Sequence, residues 1–181
     1  ADLLLSEEAI GNLQPSFNLC TGPTNGNYHY AGQALAGQSG LNMETISTAG
    51  SNQNLDYLRD GKCDGAIVQS DVFGTNVHVA AAVTRTTVMY PEYAHLVCSK
   101  SSKIKRLSDL DSRHTVAIGA AGSGSAITWN NLQLQTRSLD RVKTVNVGSN
   151  TALLNVIGGQ TTCLFTVISL NSKFVERIDQ E

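Results

Sequence analysis

The chain has 181 residues and a formal net charge of −2, and this length suits one or two compact domains. Its 13 Lys and Arg residues form neither a run nor a stripe interleaved with aromatic residues, which argues against nucleic acid as a partner. The longest apolar run, Val77–Val83, is shorter than the roughly 18 residues that a membrane span needs and is predicted to be a strand.

The first part of the chain alternates predicted strands with predicted helices. Residues before about Gln14 are predicted to form a short helix or a leading arm. The apolar spacing then predicts strand, helix, strand, helix and strand in the ranges Ser16–Cys20, Tyr28–Ser39, Met43–Thr48, Ser51–Gly61 and Asp64–Ser70. The second helix is predicted to be capped by Ser51 or Asn52 and to direct Leu55 and Leu58 inward. Such alternation predicts βαβ units and a mainly parallel sheet.

The middle of the chain is predicted to be rich in strands. Val77–Met89 and Ala94–Ser99 have β character, and Tyr90–Glu92 separates them. Pro91 argues against one continuous central strand, because proline cannot donate to the hydrogen-bond ladder of a sheet.

The alternating pattern returns in the second half. After a short helix from Ser108, the pattern predicts strands at Thr115–Gly119, Lys143–Val147 and Cys163–Ser169. It also predicts a helix entered from Ala120–Ser125 and a helix capped by Ser149-Asn150. The interval from Gly22 to Ser51 differs by one position from the interval from Gly119 to Ser149. We therefore predict an α/β protein of two lobes with like βαβαβ architecture; chance similarity of two α/β segments is the alternative.

The predicted division of the chain follows from this repeat. Residues 1–76 form lobe one, residues 77–103 form a β-rich crossover or hinge region, and residues 104–181 form lobe two. Four cysteines, Cys20, Cys63, Cys98 and Cys163, lie outside any CxxC motif, and no His lies at zinc-ligand spacing. An even count permits disulfides, but positions on or beside strands favour buried free thiols.

Both first strands lead into loops rich in glycine, Thr21–Asn27 and Ala120–Ser125, that enter helices. Ligands of open α/β sheets bind at the carboxyl ends of the strands, and helix N-termini there offer backbone N–H groups to anions. We therefore predict that the two loops face each other across one ligand cleft; the alternative is that each region only caps its helix. The candidate ligand-binding residues are Thr24, Asn25, Gly26, Asn27, Tyr28, Ser51, Asn52, Gln69, Tyr93, Ser123, Gly124, Ser125, Ser149 and Asn150.

Other chemistries lack their motifs in this sequence. Neither GxGxxG nor a GKS/GKT phosphate loop is present, and no GxSxG elbow supports a serine hydrolase. The four histidines are scattered, so we predict no catalytic residue, no metal and no cofactor. Arg85, near the predicted crossover, is a candidate anion partner, although an arginine there more often pairs with a surface carboxylate.

Six segments in order resemble one family. They are Leu19–Tyr28, Thr48–Leu55, Asp64–Asp71, Tyr90–Glu92, Ile104–Leu110 and Val116–Ser125. Together they resemble the TAXI-type solute receptors of TRAP transporters and, more loosely, other type II periplasmic binding proteins. The resemblance covers about Phe17 to Ser169.

The resemblance implies a bilobed fold that closes on a small ligand, typically a carboxylate such as glutamate or a 2-oxo acid. It implies a periplasmic, non-enzymatic protein that works with TRAP membrane subunits. The alternatives are a sensor module with the same ligand and, less favoured, an enzyme on the same fold.

The chain departs from the family in its length. Family members usually have a segment after the second lobe that returns to complete the first. The chain is either a piece of a longer protein or a shortened relative. If the returning segment is absent, lobe one has a bare sheet edge or apolar face, which predicts self-association through that lobe or weaker order in it than in lobe two. Leu3, Leu4, Leu5, Ala9 and Ile10 of the leading segment are apolar enough to cover part of the gap.

Overall fold

The chain folds into two compact units, one ending at Pro91 and the other beginning at Glu92. The structure is a computed structural model that describes residues 1–6, 16–80 and 82–180. We call the two parts unit one and unit two and describe each by itself.

Unit one is a mixed sheet with helices. Its described strands are β1 (Asp2–Ser6), β2 (Phe17–Cys20), β3 (Met43–Ile46), β4 (Gly65–Val68) and β5 (Val83–Val88). Its described helices are α1 (Asn27–Gln38), α2 (Ser51–Arg59), α3 (Ser70–Thr75) and α4 (Val77–Ala80). The strand order is β3-β2-β4-β1-β5, with β2 parallel to β3 and β4, and β1 antiparallel to β4 and β5.

Strand β1 corrects the prediction of a helix or leading arm. Leu4 is fully buried and lies opposite Ala66 of β4 on one side and Arg85 of β5 on the other. Strand β1 therefore fills the expected gap in lobe one, as expected of Leu3, Leu4 and Leu5, and the prediction of a bare sheet edge there is wrong. Self-association through lobe one, or weaker order in it, stays a prediction. Ala9 and Ile10, which were also expected to dock, lie outside the described residues.

The apolar run that begins at Val77 is also different from the prediction. Residues 77–80 form helix α4, and the strand begins only at Val83. The Val79 N–H donates to the Asn76 carbonyl at 3.2 Å, and this bond begins a new helical turn. Val79 is buried in that turn. Periodicity alone does not separate a short buried strand from a short buried helix.

Unit two repeats the central part of this plan. Its described strands are β6 (Tyr93–Cys98), β7 (Thr115–Ala117), β8 (Lys143–Val145) and β9 (Cys163–Ile168), and its α-helices are α5 (Gly124–Gln135), α6 (Ser149–Ile157) and α7 (Lys173–Ile178). The order is β6-β9-β7-β8, with β7 parallel to β8 and β9, and β6 antiparallel to β9. Trp129 of α5 is fully buried against Phe165 of β9, with ring centroids 5.2 Å apart.

Equivalent backbone bonds mark the repeat. After β2 the Thr21 N–H donates to the Ile46 carbonyl at 2.9 Å, and after β7 the Ile118 N–H donates to the Val145 carbonyl at 3.0 Å. In each unit an antiparallel strand, β1 or β6, pairs with the third strand of the repeat. The predicted crossover region is divided between the units, because β5 pairs with β1 and β6 pairs with β9.

The four cysteines form two disulfides, so the prediction of free thiols is wrong. Cys20 is bonded to Cys63 with Cα atoms 5.8 Å apart, and Cys98 is bonded to Cys163 with Cα atoms 4.0 Å apart. Cys98 and Cys163 face each other directly in the register of β6 and β9. These pairings depend on which strands are neighbours, and cysteine spacing alone does not show this.

The buried side chain of Asn54 joins the carboxyl ends of the parallel strands in unit one. Its Nδ2 donates to the Thr21 carbonyl beyond β2 and, at 2.7 Å, to the Ile67 carbonyl of β4. Its Oδ1 accepts from the hydroxyl of Thr48, beyond β3. Helix α2 is thus fixed to three strand ends through one fully buried amide.

We expect the double variant Cys98→Ala/Cys163→Ala to be less stable by about 2–5 kcal/mol, because the disulfide closes a loop with a sequence separation of 65. Removing both cysteines leaves no lone thiol. Urea unfolding followed by circular dichroism measures the difference. An unchanged unfolding midpoint would contradict this assignment.

We expect Asn54→Leu to lower the free energy of unfolding by about 2–4 kcal/mol, because it removes the amide that donates to two buried carbonyls and accepts from the buried Thr48 hydroxyl. Asn52→Leu is the matched control, since Asn52 is exposed on the same helix and should cost at most about 0.5 kcal/mol. Equal losses in the two variants would show that the Asn54 amide does not hold the strand ends.

Candidate functional site

The predicted site residues of unit one lie at the carboxyl ends of its parallel strands. Residues Thr24 to Tyr28 follow β2, Ser51 and Asn52 follow β3, and Gln69 follows β4. Because β2, β3 and β4 are parallel, these ends share one edge of the sheet. The structure therefore brings the unit-one residues to one edge, which we call edge one.

Two helices begin at edge one without a side-chain cap. Gly26 is the N-cap of α1 and Gly50 is the N-cap of α2, so the predicted cap at Ser51 or Asn52 is wrong. Gly50 has φ 123° and ψ −160°, a conformation open essentially to glycine alone. First-turn N–H groups have no partner within their own helix, so a cap without a side chain leaves them for another acceptor.

Several predicted ligand residues of edge one hold the local structure. The Ser51 Oγ accepts from the Gln69 N–H at 3.1 Å, which fixes the start of α2 to the end of β4. The buried Gln69 donates through Nε2 to the Asp71 Oδ1 at 2.7 Å. Thr24, Asn25 and Asn52 are exposed, and Asn27 and Tyr28 are half-buried.

Unit two places its predicted residues at the carboxyl ends of β7 and β8, which we call edge two. Ser123 caps α5, with its Oγ accepting from the Ala126 N–H at 3.3 Å. The Ser125 Oγ accepts from the Val167 N–H at 2.9 Å and so fixes α5 to β9. Gly124 is buried between these two serines.

Gly119 sets the turn that leads to Ser123. Its φ is 93°, in the region that favours glycine, and a Cβ atom there would lie 2.7 Å from the Ser123 Oγ. Its carbonyl accepts from the Asn146 Nδ2 at 3.1 Å, as the Gly22 carbonyl accepts from the Ser47 Oγ at 2.8 Å in unit one. The two glycine-rich loops are thus held in the same way.

Helix α6 begins at edge two after Gly148 and has no side-chain cap, so the predicted cap at Ser149-Asn150 is wrong. The Asn150 Oδ1 instead accepts from the Arg177 Nη1 at 3.2 Å. Arg177 is an exposed residue of α7 that the sequence analysis missed, because 27 positions separate it from Asn150. A guanidinium beside a helix N-terminus adds positive charge where the helix dipole is already positive.

Tyr93 and Arg85 have different surroundings. Tyr93 begins β6 opposite Ile168, the last residue of β9, so it lies at edge two with 47% of its surface exposed. Arg85 donates through Nη2 to the Oδ1 of the fully buried Asp2 at 2.9 Å. Its role as an anion partner is therefore not supported, because β1 brings a carboxylate beside it.

The described residues include neither a metal-binding cluster nor a membrane-spanning helix. Within residues 1–6, 16–80 and 82–180, His, Cys, Asp and Glu form no group of three or more that could hold a metal ion. Among the described helices, none has the length and apolar character required to cross a bilayer.

Solved structures share this fold at low sequence identity. An ancestral arginine-binding protein bound to arginine is 16% identical with a TM-score of 0.65, over 93% of this chain and 76% of that protein. The substrate-binding protein of an amino acid ABC transporter is 12% identical with a TM-score of 0.64, over 91% and 75%. The binding protein component of an ABC phosphonate transporter from Pseudomonas aeruginosa is 15% identical with a TM-score of 0.61, over 92% and 60%.

These likenesses confirm the predicted fold class. The chain has the α/β fold of the periplasmic binding proteins, with two mixed sheets that each contain a parallel core. A family model described as NMT1-like matches residues 19–180, which include both glycine-rich loops. The chain belongs to the NMT1-like family.

Proposed function

We propose that this protein is an extracytoplasmic solute-binding protein that captures a small anionic or zwitterionic molecule, such as glutamate or another small carboxylate. The proposed contacts are helix N-termini, which edge one and edge two each provide within their own unit. The proposal extends to delivery of the ligand to the membrane subunits of a TRAP-type transporter.

One observation carries this proposal: helices begin at the carboxyl edge of the sheet in both units, and three of them begin at glycine without a side-chain cap. These are α1 after Gly26, α2 after Gly50 and α6 after Gly148. Backbone N–H groups at such ends bind carboxylates, and each end contributes about 0.3–1 kcal/mol toward a nearby anion. A repeated arrangement of this kind is more than helix capping requires.

Arg177 supports an anionic ligand. Its guanidinium is held next to the start of α6 by Asn150, so a carboxylate there would meet both a cation and backbone donors. Arginine binds carboxylates with two parallel hydrogen bonds. A micromolar affinity requires about −8 kcal/mol, which several such contacts can supply in a site shielded from water.

The extracytoplasmic location is supported by the disulfides. Both pairs of cysteines are bonded, and such bonds persist in oxidising compartments such as the periplasm. The solved structures with this fold include binding proteins of amino acid and phosphonate transporters, which supports a role in solute uptake.

We expect Gly124→Asp to weaken binding of an anionic ligand at least about ten-fold, or about 1.4 kcal/mol, through charge repulsion and crowding of the backbone. Calorimetry with a panel of small carboxylates, L-glutamate first, measures the change. Gly37→Asp is the matched control, because Gly37 is exposed in α1 with open space around it.

The exposed Arg177 supplies a second variant in case Gly124→Asp does not fold. Arg177→Gln should weaken the same ligand by about three- to ten-fold, as loss of a charge-assisted hydrogen bond does. Arg141→Gln, at another exposed arginine of unit two, should leave the affinity unchanged. Unaltered binding in both Gly124→Asp and Arg177→Gln would remove edge two from the site.

A further inference from the structure

Strands β7, β8 and β9 begin at the edge of the unit-two sheet that lies opposite edge two, and β6 ends there. Thr115, at the start of β7, lies opposite Lys143, at the start of β8. Cys98, at the end of β6, lies opposite Cys163, at the start of β9. The Thr162 N–H donates to the Thr115 carbonyl at 2.8 Å and so joins the two pairs. The segments that lead to these strand ends therefore lie side by side.

This edge, which we call the basic edge, carries an excess of positive charge. The segments that lead to it contain eight Lys and Arg residues against three Asp and Glu residues, and they are residues 99–114 and 136–143. The loops that follow β7, β8 and β9 at edge two contain no charged residue, and they are residues 118–123, 146–148 and 169–172. The charge of these connections is therefore segregated to one edge of the sheet.

Most cations of the basic edge are not neutralised by a carboxylate. Arg113 pairs with Asp111 at 2.6 Å. Arg106 pairs with Asp109 at 3.6 Å, and the third acid, Asp140, is exposed. Six exposed cations form no ion pair with any residue in the ranges 1–6, 16–80 and 82–180, namely Lys100, Lys103, Lys105, Arg137, Arg141 and Lys143. Their charge therefore faces the solvent.

The spread of these cations indicates the size of the partner. The strand order is β6-β9-β7-β8, and adjacent strands lie about 4.8 Å apart. Lys100 follows β6 and Lys143 begins β8, so about three strand spacings, or about 14 Å, separate their positions on the sheet. One small anion cannot contact both. The partner that fits is an extended anionic surface.

Two observations favour a lipid surface over an acidic protein. Four of the six cations are lysines, whose mobile point charges need no fixed partner geometry. Leu134, in the last turn of α5, is 86% exposed and precedes Arg137 by three residues, whereas Leu139 and Val142 of the same connection are buried. A protein interface has a contiguous apolar core, but a single leucine beside cations suits the headgroup layer of a bilayer.

We propose that the basic edge of unit two binds the surface of a bilayer that contains anionic phospholipids. The exposed lysine and arginine side chains contact the headgroup phosphates, and each cation near such a surface strengthens binding about five-fold. Salt weakens this attraction, because exposed charges are screened within about 8 Å at physiological ionic strength. None of the six cations belongs to the candidate solute site, so the two proposals stand or fall separately.

Co-sedimentation of the purified protein with lipid vesicles tests the proposal without any solute. Vesicles of phosphatidylcholine and phosphatidylglycerol in equal parts should bind the protein at least about ten-fold more tightly than vesicles of phosphatidylcholine alone. Raising the salt from about 50 mM to about 500 mM should weaken binding to the anionic vesicles at least about ten-fold.

A pair of double variants tests the place of the charge. Lys100→Gln/Lys143→Gln should weaken binding to the anionic vesicles at least about ten-fold. Lys62→Gln/Lys173→Gln is the matched control and should weaken it less than about two-fold, since neither lysine lies at the basic edge. Both variants replace two exposed lysines, so they have the same net charge.

Four results would overturn the proposal. They are equal binding to neutral and anionic vesicles, equal losses in the two double variants, and no binding to anionic vesicles at about 1 mM lipid in low salt. The fourth is an octaglutamate peptide that binds as tightly as the anionic vesicles and is lost from Lys100→Gln/Lys143→Gln, since the partner would then be an acidic protein.

Discussion

A helix that follows a parallel strand begins at the carboxyl edge of its sheet, and both candidate edges of this protein depend on that constraint. The chain has no freedom to place α1, α2, α5 or α6 otherwise, because each returns between two parallel strands. The first-turn N–H groups of every such helix then collect at one edge. The connection rule thus gathers the backbone donors on which the proposed ligand binding depends, and the side chains refine their arrangement.

The helix starts lose little stability by lacking a side-chain cap. Three helices here begin at glycine, which replaces a Ser, Thr, Asp or Asn cap at a cost of only about a few tenths of a kcal/mol. The side chains near those starts act elsewhere: Ser51 and Ser125 fix helices to strand ends, and Asn54 joins three of them. These side chains therefore fix the helix starts to the strand ends.

Apolar periodicity predicted the repeated core, including Leu55 and Leu58 on the buried face of α2, because local spacing determines which face is buried. Apolar periodicity failed where the fold depends on pairing between residues that are distant in sequence. Nothing local shows that Asp2–Ser6 enters a sheet beside residues 65–68, and this entry also explains the pairing of Arg85 with Asp2. The disulfides and the contact of Arg177 with Asn150 likewise join residues that are distant in sequence. The sequence located the starts of α2 and α6, but their N-caps are Gly50 and Gly148, just before the predicted serine and asparagine caps. The prediction failed because serine and asparagine usually cap a helix better than glycine does.

The proposed function depends most on the binding of a small anion at the helix starts of these sheet edges. Native mass spectrometry of the purified protein, before and after dialysis against L-glutamate, measures the mass and number of bound molecules per chain. We expect a small acid to be bound by the intact protein and a smaller bound fraction in Arg177→Gln at the same ligand concentration. A protein that carries no small acid, or one whose Arg177→Gln variant retains the acid equally, would contradict the proposal.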